Sequence, residues 1–181
     1  WLMISVLAYY AYSAIGVSIM MHRFWTHKSF KFKSLAVERL FTAIAVMASR
    51  GSPLAWVYIH RQHHAHSDAE EDPHSPKYVG FRLFGLKKTS ADNIKIFVIK
   101  DMLNKEQIFI NDYYIGLVLA GVVALALINP YLVYFAWALP VFINQMVQDI
   151  FNYSAHINGG YRNYETKDDS QNRLWLWPLI L

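Results

Sequence analysis

Residues 1–21 read Trp-Leu-Met-Ile-Ser-Val-Leu-Ala-Tyr-Tyr-Ala-Tyr-Ser-Ala-Ile-Gly-Val-Ser-Ile-Met-Met, without one charged side chain. A helix needs about 20 mostly apolar residues to cross the hydrocarbon of a bilayer, so this stretch is read as one span. It lacks a basic leader and a small-residue cleavage site, which argues against a signal peptide. A second uncharged run covers residues 113–148. It is too long for one crossing, and Asn129-Pro130 near its middle is a turn signal. It is therefore read as a helical hairpin, with spans at about 113–128 and 131–150. The fold class predicted is all-α, an integral membrane helical bundle with interfacial helices.

The composition agrees. Of 181 residues, 55% are hydrophobic and 17% charged, and none is Cys. That excludes a disordered chain and a disulfide-stapled or thiolate-ligated fold, and the length suits a single domain over 1–181. The net charge of +4 is unevenly placed, because residues 22–112 hold 14 of the 17 Lys and Arg but 9 of the 13 Asp and Glu. Basic loops stay in the cytosol, which puts 22–112 on the cytosolic side, and the hairpin returns 151–181 to that side. Charges that flank apolar spans, rather than forming a groove or basic helix, argue against nucleic acid as a partner. Within 35–59, Glu38, Arg39 and Arg50 interrupt the apolar residues, so one or two amphipathic helices are expected at the interface. The chain starts at Trp1 and stops inside the apolar residues 174–181, and it is read as truncated at both ends.

Eight histidines are present, six of them beside predicted spans. His22 and His27 follow the first span. Five residues on an α-helix turn the side chains about 140° apart, so both reach one metal site only if the helix ends or distorts there, or if two metals are held. Alone, the pair reads equally well as two interfacial histidines. His60, His63 and His64, at offsets of three and four, share one helix face, and neutral imidazole is the commonest metal ligand. His66 and His74 flank an acidic run and read more simply as solvated loop residues, with Asp72-Pro73 marking a turn. His156 ends a polar stripe of Gln145, Asp149, Asn152 and His156 at helical spacing on the third span, where intramembrane polar groups face a bundle interior. The alternative is a hydrogen-bond ladder between helices. The three groups can converge at the membrane surface on iron, zinc, copper or nickel. Asp149, Asp68 and Glu70 are available to orient such ligands, although each also reads as an ordinary polar residue.

Four stretches carry a resemblance: HisArgPheTrpThrHisLysSerPhe at 22–30, TrpValTyrIleHisArgGlnHisHis at 56–64, AspProHisSerPro at 72–76, and the segment 152–170 that opens AsnTyrSerAlaHis. Together they resemble the membrane fatty acid desaturases of the stearoyl-CoA and acyl-lipid Δ9 type. The resemblance implies a non-haem di-iron enzyme with its metal site on the cytosolic face and two iron ions as cofactors. The implied ligands are His22, His27, His60, His63, His64 and His156, with Asn152 acting through water. Trp56 is similar to the tryptophan lining the bend of the acyl tunnel, and it also reads as an interfacial anchor. The family has a third His-x2-His-His box downstream of the segment matching 152–170. This chain shows none, so the fragment alone is expected to have little or no activity.

The implied reaction uses O2 as co-substrate and two electrons to remove two hydrogens from adjacent methylenes, leaving a cis double bond. The implied partners are a fatty acyl-CoA or acyl-lipid substrate, membrane lipid, and a separate electron donor of the ferredoxin or cytochrome b5 type. The basic residues Lys28, Lys31, Lys33, Arg61, Lys87 and Lys88 can meet anionic lipid, thioester phosphates or an acidic donor, and positive-inside topology explains them without any partner. Two other functions are weighed. A related hydroxylase or oxygenase would use similar histidine boxes. A metal transporter would place its ligands near the bilayer midplane, whereas these sit at span ends.

Overall fold

The structure, a computed structural model, describes residues 1–80 and 95–180; Lys87 and Lys88 of the basic loop lie outside the described residues. Helix α1 runs from Leu2 to Thr26. It is α-helical to Tyr10 and wound more widely, as a π-helix, from Ala11 to Thr26. Helix α2 is Leu35–Met47, opened by the Ser34 hydroxyl accepting from the Val37 N–H. Helix α3 is Pro53–Ala65, opened by Ser52 accepting from the Ala55 N–H. Pro53 at its first position has no N–H to leave unsatisfied. A tight helical turn at Ile96–Met102 leads to α4, Lys105–Asp112, and then to α5, Tyr114–Ile128, bent 72° from it. The last long helix, α6, is Pro130–Ala155, after Asn129 has capped the turn by accepting from the Tyr131 N–H.

The described chain is helical, its only bridge being a single pairing of Tyr161 with Asn172. Two helices, α1 and α6, are long and apolar enough to cross a membrane, and α4 with α5 makes a third if the bent pair is one span. Helix α5 buries no residue, and Ile115, Leu119, Val123 and Leu127 all face outward. An outer surface of that kind suits lipid as its solvent.

The helices outrun the predicted spans: the first continues past residue 21 to Thr26, and the last runs past 150 to Ala155. Polar residues extend both helices because protein groups, rather than lipid, satisfy their ends. The Thr26 hydroxyl donates to the Met21 carbonyl, and the Arg61 guanidinium donates to the carbonyls of Trp25 and Thr26. The interfacial region resolves into two helices, α2 and α3. Helix α2 approaches α1 closely at Gly16, where an added Cβ would stand 3.2 Å from the Ala48 Cβ and 3.3 Å from the Ala45 Cα.

The best-buried core is built from Val17, Met20, Met21 and Trp25 of α1, Ala45 of α2, Leu54 and Val57 of α3, and Ile99 and Met102. It lies directly beneath the ends of α1 and α3 that carry histidines. Arg61 fastens this corner by donating to the Val98 carbonyl at 2.7 Å and pairing with Asp101 at 2.6 Å. Lys28 approaches the same carboxylate at 3.5 Å. Arg61 is therefore a clamp inside the fold, not a residue held out toward a partner.

Candidate metal centre

The wide winding of α1 removes the difficulty posed by the spacing of His22 and His27. The His27 N–H donates to the His22 carbonyl at 3.1 Å, five residues back, which is the bond of a π turn. One such turn brings the two rings to 4.6 Å between centroids. The α3 histidines meet them: the His22 ring lies 4.9 Å from His60, and His27 lies 4.8 Å from His64. One ring nitrogen from each of His22, His27, His60 and His64 falls within 4.8 Å of all the others. The Nε2 atoms of His60 and His64 are 3.1 Å apart.

His63 turns away from this group. Its position on α3 is about 100° from that of His64, so the shared face predicted for the three histidines is wide enough to serve two places. The His63 Nδ1 donates to Asp72 Oδ1 at 2.9 Å, and its ring is 5.1 Å from that of His156. His156 caps the end of α6, and its Nδ1 donates to both oxygens of Asp68 at 3.0 Å. His74, half-buried, lies 5.4 Å from His63, ring to ring.

The electrostatics favour neutral rings. Burial first, then the neighbouring imidazoles of His64, His22, His63 and His74, hold His60 far below its ordinary value. Burial and then the Arg61 charge lower His27. Burial, with His27 and His63, lowers His64 against the opposing pull of Asp168 and Asp72. Neutral imidazole is the form that binds metal. Two imidazole nitrogens on one ion at roughly 2.1 Å each lie about 3 Å apart when adjacent, close to the His60–His64 separation. A first-row transition metal therefore fits the donor set and spacing of the four-histidine group.

Other expected positions divide. Trp56 stacks on the His60 ring at 4.6 Å and 26°, and packs against the buried core. Asn152 is half-buried one turn before His156. The polar stripe of α6 splits in two, because Gln145 donates to Asp149 at 2.7 Å and Asp149 pairs with the buried Arg50 at 3.7 Å. That half is a polar contact between α6 and the loop joining α2 to α3, with Asp149 engaged by Gln145 and Arg50; Glu70 is exposed and orients no histidine. Asp68 does. Asp72 was legible only as a turn marker. Nothing in the spacing of Asp68, Glu70, Glu71 and Asp72 tells which carboxylates turn inward.

A helical bundle of membrane type, with imidazoles gathered where its helices end, defines a class of membrane protein with a histidine cluster able to hold a metal ion. Comparison narrows the class. The sequence model of the fatty acid desaturase family matches residues 1–181, and the chain belongs to that family. The Delta-9 desaturase-like 4 protein of Arabidopsis thaliana is 30% identical over 185 residues, covering 94% of this chain and 58% of the relative. The sn-1 stearoyl-lipid 9-desaturase of Anabaena variabilis is 26% identical over 98% of this chain and 66% of its own length. The hex-5-enoyl-(acyl-carrier protein) acetylenase of Moorena producens is 26% identical over 92% of this chain and 59% of its own length. The chain thus spans 58–66% of the length of these relatives.

Proposed function

We propose that the protein carrying this chain is a non-haem di-iron acyl desaturase that introduces a cis double bond, at the Δ9 position, into a saturated chain on CoA or lipid. The observation that carries the reading is the gathering of His22, His27, His60 and His64 nitrogens within 4.8 Å, in a member of the desaturase family. His22, His27, His60 and His64 would hold one iron, and His63 and His156, with Asn152 through water, would contribute to the second. Two bound irons supply, with O2 and two electrons, the oxidising power that an unactivated C–H bond demands and no side chain possesses.

The chain's own residues have separate tasks. Burial and repulsion from neighbouring charges keep His27, His60 and His64 neutral and able to bind metal. Trp56, stacked on His60, is placed to wall the path of an acyl chain past the site. Burial of an apolar chain gives it a fixed orientation, so that one C–C bond meets the metals. The charge bias of residues 22–112 supports a site on the cytosolic face. Electrons would come from a separate ferredoxin or cytochrome b5 type donor.

The test is expression of the intact protein in a host that supplies a reductase, followed by analysis of its acyl chains. A new cis alkene supports the desaturase reading. An alcohol in its place transfers the protein to the hydroxylases, and metal flux into vesicles without lipid oxidation overturns the enzyme reading. Trp56→Ala is expected to broaden the double-bond position or the chain length accepted.

A further inference from the structure

Two loop carboxylates stand directly behind two of the histidines. Asp72, whose side chain is fully buried, accepts from the His63 Nδ1 at 2.9 Å and from the backbone N–H groups of Asp68 and His74, each at 2.8 Å. Asp68 accepts from the His156 Nδ1 and, at 2.7 Å, from the Asp169 N–H. Asp68 adopts φ +62, the left-handed region that Asp tolerates but few residues choose. A residue kept in so sparsely used a conformation is one that its surroundings over-determine, and here they aim its carboxylate at the end of α6. The loop after α3 thereby ties the second histidine box to a histidine on another helix.

An ionised carboxylate only accepts hydrogen bonds. Each of these rings therefore carries its proton on Nδ1 and keeps the Nε2 lone pair for a metal. The other group is built differently: among the described residues, no carboxylate hydrogen-bonds to the rings of His22, His27, His60 or His64. We infer that Asp68 and Asp72 are positioning residues that fix the orientation and tautomer of His156 and His63, and so define one of two chemically unequal metal positions. The inference rests on the metal-site reading above. An anionic partner makes an imidazole the stronger donor, and losing such a partner costs about 10- to 100-fold in metal affinity.

The experiment loads the intact protein, purified in detergent, with isotopically enriched iron under anaerobic conditions. It measures iron per chain and the Mössbauer spectrum. Wild type is expected to hold two ions with two distinct signatures. Asp68→Asn and Asp72→Asn are each expected to weaken one ion by about 10- to 100-fold and to erase the same signature that His156→Ala erases. His22→Ala is expected to erase the other signature. Because Asp72 also holds two backbone N–H groups, Asp68→Asn, which faces a different histidine, carries the test if the Asp72 variant misfolds. Two ions with unmoved signatures in a folded Asp68→Asn variant overturn the inference and leave the metal site standing. Loss of one common signature by His22→Ala and Asp68→Asn also overturns it. A wild type that binds no iron overturns the metal-site reading, and the inference with it.

Discussion

His22, His27, His60 and His64 stand together at the ends of α1 and α3 with no carboxylate bonded to their rings among the described residues, whereas His63 and His156 each lean on an aspartate. The first group is held by helix geometry: a π turn under His22 and His27, and the i, i+4 spacing of His60 and His64. The second is held by a loop that reaches across from α3 to α6. Helix geometry places rings side by side but leaves their tautomers open. Carboxylate contacts settle the tautomer and add negative charge behind the ligand. Two neighbouring positions of the same ligand type can therefore differ in affinity and in electron density at the metal, which is useful where two metals share one reaction.

The sharpest way to break the comparison is to remove one ring from each side. His64→Ala and His63→Ala are each expected to abolish product in the intact protein and to release one ion of two, a different one in each case. Iron analysis and acyl-chain analysis check both outcomes. Asp149→Asn probes a carboxylate of the polar stripe on α6. It takes the counter-charge from the buried Arg50, so a loss of about 3–5 kcal/mol in stability is expected, with both metal signatures retained in the folded fraction. Unfolding in detergent, followed by circular dichroism, measures it.

Gly16→Val tests the helix-held side alone. The new side chain would press on Ala45 and Ala48, an overpacking expected to cost about 1–3 kcal/mol. Helix α1 carries His22 and His27, so iron in the four-histidine group should weaken more than iron held by His63 and His156. Competition titrations for the two ions would show it.

The smallest effect separates the two regions by pH in chelated, metal-free protein. His27, His60 and His64 have depressed values, so the folded chain binds fewer protons there than the unfolded chain. Their contribution is complete above the ordinary histidine value of 6.5 and is lost as pH falls below it;. Asp72 is different. Burial would raise its carboxyl, but hydrogen bonds from His63 and from the Asp68 and His74 N–H groups outweigh burial and hold it low. Its contribution persists above the ordinary carboxylate value of 3.8 and is lost as pH falls through the folded value. Melting curves from about pH 8 to pH 2 should show stability falling once pH drops below 6.5 and falling more steeply below 3.8, where Asp72 adds its loss, and Asp72→Asn should remove only that added loss;.

Much of this is legible in the sequence. The uncharged runs announce their helices because a polar side chain in hydrocarbon is costly, and histidine spacing announces a site because few structural roles need three imidazoles in five residues. How far the first helix runs past its uncharged stretch is not legible there, since charge patterning cannot see Arg61 reaching back to the carbonyls of Trp25 and Thr26. The polar stripe on α6 also misled in part. Asp149 and His156 share a helix face, yet one finds Arg50 and the other finds Asp68, a difference set by which neighbour stands opposite each turn.

The sequence by itself determined that the chain is helical and membrane-bound in character, and which imidazoles are available, because periodicity and ligand chemistry are local properties. Only the tertiary structure decided how six histidines divide between two places, and that Asp68 and Asp72, rather than Glu70 or Asp149, stand behind two of them. A hydrogen bond across 88 residues, as between His156 and Asp68, depends on how helices pack and how a loop folds back, and no spacing along the chain encodes that distance.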